Sequence, residues 1–277
     1  MFGRRREAPA PPRRDADWRS FDGVAETYDR VRAPVHAAPA RHLVEAMGPP
    51  APPGFLDAGS GTGVLAEAAR DAGWDPVVGV DRSQPMLALA RRRIDRLVAA
   101  DAVDLPFANG RFAVVGSSFV LHTFPKHETA LFDLLRVIRP GGLLGAATWA
   151  GGDDEFTRTW RTVAESFATK ELLADAARRA APGMERFGDP GWLEETFRDA
   201  GLREVEVAGR EYRSSASIAD YLAGRETTAL GRFLRSLLGE ALWERFRARV
   251  EDEFRNRFPD PIGDSYEVLI AVGKKPA

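Results

Sequence analysis

Glycine falls at every second position in Gly59-Ser60-Gly61-Thr62-Gly63, behind the apolar run Phe55-Leu56-Asp57-Ala58 and ahead of a helix-like stretch, Val64 to Arg70. A buried strand running into such a turn brings backbone close to a ligand, because no side chain intervenes. A dinucleotide loop has the spacing G-x-G-x-x-G and points a helix N-terminus at a pyrophosphate. Here position 64 is Val, and Asp57 stands just before the first glycine. A carboxylate at that point repels a pyrophosphate but accepts hydrogen bonds from an ammonium, as an amino-acid ligand requires. The competing reading is a tight strand-to-helix turn whose glycines serve only backbone angles.

A second acid ends the next apolar run, Val77-Val78-Gly79-Val80-Asp81, about 20 residues on, where a carboxylate can take both hydroxyls of a ribose. Asp81 and Ser83 also stand where a helix N-cap would, so capping explains either residue equally well. Met86, in the first turn of that helix, can cover one face of an adenine or simply join the core. Asp101-Ala102 follows the third strand and supplies either an acceptor for an adenine amino group or an exposed loop acid. Arg139-Pro140-Gly141-Gly142 has Pro and Gly placed for a type II turn.

Short apolar runs alternating with helical stretches must position these groups. Strands are predicted at 54–58, 76–80, 97–100, 113–119 and 143–149, with helices at 64–72, 85–94 and 128–138 between them. That alternation is the texture of βαβ units and implies an α/β, doubly wound, mainly parallel sheet covered on both faces. Two lead-in helices precede it, the second over Val35 to Met47 and stopped by Gly48-Pro49-Pro50. After Trp149 the pattern becomes helical over 155–181 and 190–200. A half-exposed strand at 203–212, a helical insertion at 217–258 and a late apolar run at 266–274 follow. The aromatic residues Trp160, Phe167, Trp192, Tyr221, Phe233 and Trp243 in this part read mostly as core. Residues 1–17, rich in Pro, Arg and Ala, are expected to form a disordered tail.

Composition narrows the partners. The chain has 277 residues, and 39 Lys and Arg against 41 Asp and Glu give a net charge of -2, with no whole-chain attraction to nucleic acid or anionic membranes. Only four of the basic residues are Lys, a bias that reads as genome composition. The absence of Cys rules out disulfides, thiolate metal sites, cysteine-bound clusters and a cysteine nucleophile, and suits a reducing, cytoplasmic setting. Arg4 to Arg6 are followed by Pro-rich sequence rather than an apolar stretch, so no export signal is expected, and no run is long enough to span a bilayer.

Taken in order, these pieces resemble the class I S-adenosylmethionine-dependent methyltransferases, particularly the subgroup similar to quinone-biosynthesis and other small-molecule methyltransferases. The resemblance covers roughly residues 21–149. It is carried by FDGVAETYD at 21–29, DAGSGTG at 57–63, VVGVDRSQPML at 77–87, ADAVDLPFANGRF at 100–112, FVLHTF at 119–124 and LLRVIRPGG at 134–142. One departure is Ala113, where an acid commonly follows the aromatic residue at the start of the fourth strand.

The resemblance implies a Rossmann-like, seven-stranded sheet with its last strand antiparallel. The domain would span 18–277: a cofactor-binding core over 18–149, helical cap elements over 150–200 and 213–265, and the last two strands between and after them. S-adenosyl-L-methionine would be the cofactor and no metal would be needed. On this reading Asp57, Gly59, Ser60, Gly61 and Gly63 hold the methionine end. Asp81 and Arg82 lie at the ribose, Met86, Asp101 and Ala102 at the adenine, and Ser118 to His122 beside the methyl group, with Tyr28 closing over the site.

Methyl transfer from a sulfonium is an in-line displacement that positioning and water exclusion can promote. For a hydroxyl or enol acceptor a base helps, and His122 is the first candidate, with His127 and Tyr28 behind it. The other role open to His122 is that of a packing or capping histidine. The fourth strand lacks the Asn/Asp-Pro-Pro-aromatic motif of enzymes that methylate planar amino groups, which favours a small, lipophilic metabolite as partner. Two alternatives remain: an NAD(P)-dependent oxidoreductase, and a non-catalytic module that keeps the fold.

Overall fold

The structure is a computed structural model that describes residues 18–277; the tail expected over 1–17 lies outside the described residues. Among the described residues seven strands form one sheet: β1 (Phe55–Ala58), β2 (Val77–Asp81), β3 (Leu97–Ala99), β4 (Phe112–Ser118), β5 (Ile138–Trp149), β6 (Arg203–Ala216) and β7 (Ile262–Lys274). Their order is β3-β2-β1-β4-β5-β7-β6, with β7 antiparallel to both its neighbours and the remaining pairs parallel. β1 and β4 are buried on both faces, which is why they read as unbroken apolar runs. The chain leaves β1 toward β2 on one side and returns to β4 on the other. This reversal opens a crevice at the carboxyl ends of β1 and β4.

Alternate residues of each strand serve opposite cores. Leu56, Val115 and Leu144 face one layer with Leu134, Val137 and Phe197. Phe55 and Val114 face the other with Leu43, Val44, Leu65 and Ala69. The first-half helices in these layers are α1 (Ala25–Val31), α2 (Ala33–Ala46), α3 (Val64–Asp71), α4 (Gln84–Ala90) and α5 (His127–Val137). The second half adds α6 (Glu155–Glu165), α7 (Lys170–Ala180), α8 (Met184–Gly188), α9 (Pro190–Asp199), α10 (Ile218–Thr227) and α11 (Ala229–Arg257), the last bent at Gly239. Trp160, Trp243, Phe246 and Phe254 build a separate core among the later helices, whereas Trp192 is half exposed.

Several boundaries differ from expectation. The helix predicted over 155–181 is two, because the Thr169 side chain accepts from Leu172 N–H at 3.3 Å and starts a new one. α4 stops at Ala90, and β5 begins at Ile138 with Gly141 at a φ of +72° inside it, where the predicted turn interrupts the strand. β6 and β7 pair as far as Ala216 and Ile262. Their outer residues, among them Ser214, Ser215, Asp264 and Ser265, lack the apolar alternation that marks a strand but continue the cross-strand pairing.

The loop after β3 is fixed from α5. Asp133 accepts from Leu105 N–H at 2.6 Å, and Arg136 donates to Leu105 O at 2.8 Å and Phe107 O at 2.5 Å. Arg136 Nε also holds Asp133 at 2.6 Å. Arg136→Ala is expected to speed amide hydrogen exchange across 101–107 while leaving β1 and β4 protected, as native-state exchange would show.

Candidate active site

The glycine loop depends on backbone that other residues cannot adopt easily. Gly59, Gly61 and Gly63 have φ values of +77°, +52° and +89°, the left-handed region. A Cβ on Gly59 would lie 2.5 Å from Val120 Cγ2, so the loop packs directly on the segment beyond β4. Above Gly61 nothing lies within 4 Å of such a Cβ, and the bare chain meets open space. Gly59 and Ser60 N–H both donate to Val80 O at 2.8 Å, and Gly63 leads into α3. Arg93 pins the loop from below by donating to Thr62 O at 2.9 Å and Asp29 at 2.8 Å.

Asp57 is buried at 1% exposure beneath this loop. Its Oδ2 accepts from Ala66 N–H at 3.0 Å in the first turn of α3, and its Oδ1 has no partner among the described residues. Burial raises its pKa to about 8, against the lowering effect of the Ala66 bond and with a further rise from Asp81. The expected bare carboxylate is thus a largely neutral acid, held in place by the helix that follows it.

Asp81 joins two loops. Its Oδ2 accepts from Gly61 N–H and its Oδ1 from Ser83 N–H, both at 2.8 Å. The helix cap is Ser83, which accepts from Met86 N–H at 3.3 Å and donates to Asp22 at 2.6 Å. Burial raises the Asp81 pKa, and the Ser83 and Gly61 bonds oppose the rise. Two acceptor bonds leave a carboxylate room for two more. Met86 is buried against Ala25, Leu89, Phe21 and Tyr28, whereas Arg82 is exposed. Asp101 is exposed with Val103 N–H at 3.2 Å, and Ala102 beside it is buried.

An aromatic stack stands over the tips of β4 and β5. Phe119 stacks on His36 at 4.5 Å and on Trp149 at 4.3 Å, and Tyr266 meets Trp149 edge-on at 5.7 Å. Tyr28 packs on Phe21 at 5.6 Å and its hydroxyl lies 3.3 Å from His36 Nδ1. Burial lifts the Tyr28 pKa to about 12 and holds His36 well below the usual imidazole value. Ser118, half-buried, ends β4 just before this stack.

His122 sits elsewhere. Its backbone carbonyl accepts from Gly183 N–H at 3.0 Å, and its Nδ1 is buried without a partner among the described residues. Burial lowers its pKa to about 4. It packs beneath α8, and His127 packs edge-on to Phe187 at 5.5 Å, so neither joins the aromatic stack. The histidine that does, His36, lies in α2, a stretch whose sequence marks only a helix, and Arg93 stands in the turn after α4. A buried polar residue on an apolar helix face, as His36 is, reads as core until its neighbours are known.

Residues 56–146 match a methyltransferase domain family. Along most of its length the chain resembles the demethylmenaquinone methyltransferase of Paenarthrobacter aurescens, at 31% identity over 72% of this chain and 88% of that protein. The chain belongs to the class I S-adenosylmethionine-dependent methyltransferases. It is also 34% identical to the malonyl-[acyl-carrier protein] O-methyltransferase of Pseudescherichia vulneris, over 60% of this chain and 69% of that one. In fold it matches phosphoethanolamine N-methyltransferase 2 of Haemonchus contortus with a TM-score of 0.56 at 17% identity, over 95% of this chain and 60% of that chain. The methyltransferase uses S-adenosylmethionine, and the oxidoreductase reading falls with that membership. Among the described residues no helix is long and apolar enough to cross a membrane.

Folded, Asp57 keeps its proton up to about 8, whereas an unfolded carboxyl loses it near 4, so this group's contribution to stability falls as pH rises between those values. Asp57→Asn keeps an acceptor for Ala66 and cannot ionise. Its melting temperature relative to the parent enzyme is expected to rise from pH about 5 to about 8, measured without cofactor.

Proposed function

We propose that this methyltransferase transfers the methyl group to a small, planar, lipophilic metabolite held over the tips of β4 and β5. The observation that carries this reading is the stack of His36, Phe119 and Trp149 beside the glycine loop. Flat apolar walls favour a ring over an extended chain, and the name of the Paenarthrobacter relative points to a quinone.

The residues at the loop fit S-adenosylmethionine. Bare backbone at Gly61 and the orphaned Oδ1 of Asp57 suit its aminoacyl end. An ammonium brought to that oxygen favours the ionised carboxylate and so offsets its burial. Ser60 and Gly63 shape the same turn. The remaining acceptor sites of Asp81 suit ribose hydroxyls, with exposed Arg82 beside them. Met86 covers an adenine face from the α4 side, and Asp101 and Ala102 border its edge. Tyr28 and Ser118 close the methyl end.

Bound there, the cofactor supplies a methyl group on a sulfonium for in-line displacement by an acceptor oxygen, carbon or nitrogen. This chain positions the acceptor and excludes water, so charge disperses in a dry site. Where the acceptor must lose a proton, His36 is better placed than His122. It is neutral at pH 7, bonded to Tyr28 and stacked on Phe119.

Calorimetry is expected to show binding of S-adenosylhomocysteine and none comparable of NADH. Asp81→Ala should weaken that binding about 10- to 100-fold, the loss expected for hydrogen bonds to a charged group; affinity equal to the parent's would leave Asp81 a loop tie only. With a quinone acceptor, His36→Gln should lower kcat about 100-fold or more with little change in S-adenosylhomocysteine affinity, and His122→Gln should lower it far less. The opposite ranking would return the base to His122.

A further inference from the structure

We infer that the acceptor carries an oxyanion on its ring and that the guanidinium of Arg32 pairs with it. The inference rests on the acceptor chamber proposed above and names the chemistry its ligand must bring.

Arg32 follows α1, and its Cζ lies 5.3 Å from the centroid of Trp149. Gly224 of α10 lies alongside it: a Cβ there would sit in ordinary contact, 3.6 Å from Arg32 Cδ. The guanidinium makes no hydrogen bond or ion pair with a described residue. Its surroundings hold phenols and a second cation instead, Tyr28, Tyr221, Tyr266 and Arg225, and burial and Arg225 lower its pKa. Two of those phenols are engaged elsewhere, Tyr28 with His36 at 3.3 Å and Tyr266 as donor to Val35 O at 2.8 Å.

Two other partly buried arginines have counter-ions. Arg93 holds Asp29 at 2.8 Å, and Arg136 holds Asp133 at 2.6 Å. Arg225, behind Arg32, donates to Thr157 Oγ1 at 3.3 Å and keeps a buried Nε without a partner among the described residues. Asp153 is committed to Arg161 at 2.6 Å, and Asp154 caps α6. Asp264 feels both Arg32 and Arg225 but pairs with neither; burial raises its pKa to about 6.

Arg32 is half-buried, and a guanidinium partly drawn out of water without a counter-ion is stabilised when an anion arrives. The fork of Arg matches a planar carboxylate or the adjacent oxygens of an enolate. Placed against Trp149, it holds a charge at the edge of a ring that lies on the Trp149–Phe119 stack. A lysine or an amide would not supply both the charge and the fork.

The test uses the full chain saturated with S-adenosylhomocysteine and two matched probe pairs, followed by calorimetry. One pair is salicylate and its neutral twin salicylamide. The other is lawsone, an enolate at neutral pH, and its methyl ether. The anion of at least one pair should bind about tenfold or more tighter than its twin, and the pair that discriminates tells carboxylate from enolate. Arg32→Gln should cut that preference below about threefold while S-adenosylhomocysteine affinity stays within about twofold. Equal affinity within both pairs, or a preference that survives Arg32→Gln, overturns the inference and leaves the acceptor chamber standing. If no probe binds while S-adenosylhomocysteine does, the chamber itself is overturned and the inference with it. The comparison on the parent chain decides the matter even where the variant does not fold.

Discussion

Parallel strands converge with their carboxyl ends on one edge, and there the chain must turn without side chains to fill the gap. In this protein the turn after β1 is held open by a carboxylate on the neighbouring strand. Asp81 accepts from Gly61 N–H on one side and from Ser83 N–H on the other. Those two bonds tie the glycine loop to the start of α4. They also offset part of the burial that would otherwise favour a protonated acid. Glycine takes the left-handed conformation without steric cost, and these bonds fix which of its many conformations the loop keeps.

Around that tie the structure separates scaffold from chamber. Two apolar layers on the sheet, with Leu56 and Phe55 facing opposite ways, supply rigidity. A third core among Trp160, Trp243, Phe246 and Phe254, joined by Ile262 at the start of β7, stiffens the later helices. Between these lie α1 and α2, whose Tyr28, Arg32 and His36 meet residues from β5, β7 and α10. The site is thus assembled from elements far apart in sequence.

Its electrostatics follow from dryness. Burial keeps Tyr28 and His36 neutral and raises the pKa of Asp57 to about 8. A methyl cation equivalent moving from sulfur to an acceptor is best served where water cannot compete and few fixed charges need to reorganise. Arg32, which makes no ion pair with a described residue, lies against Trp149 on its acceptor side.

How much of this was legible in the chain divides along a physical line. Local signals marked the five central strands, the alternate glycines and the acids at two strand tips, because strand burial and left-handed turns demand particular residues within a few positions of one another. The family and its cofactor followed from the order of those motifs. The break at Thr169, the polar outer halves of β6 and β7 and the early end of α4 were not legible, since caps and cross-strand bonds decide them rather than periodicity. Nor was the place of His36 beside Phe119. Sequence position put His122 next to the fourth strand, but a 3₁₀ turn there carries it beneath α8, and α2 delivers His36 to Phe119 from across the sheet edge. Sequence alone determined that a glycine loop with flanking carboxylates would exist. Only tertiary packing decided which neutral groups and which arginine face it, because burial and distance are properties of neighbours that are remote in the chain.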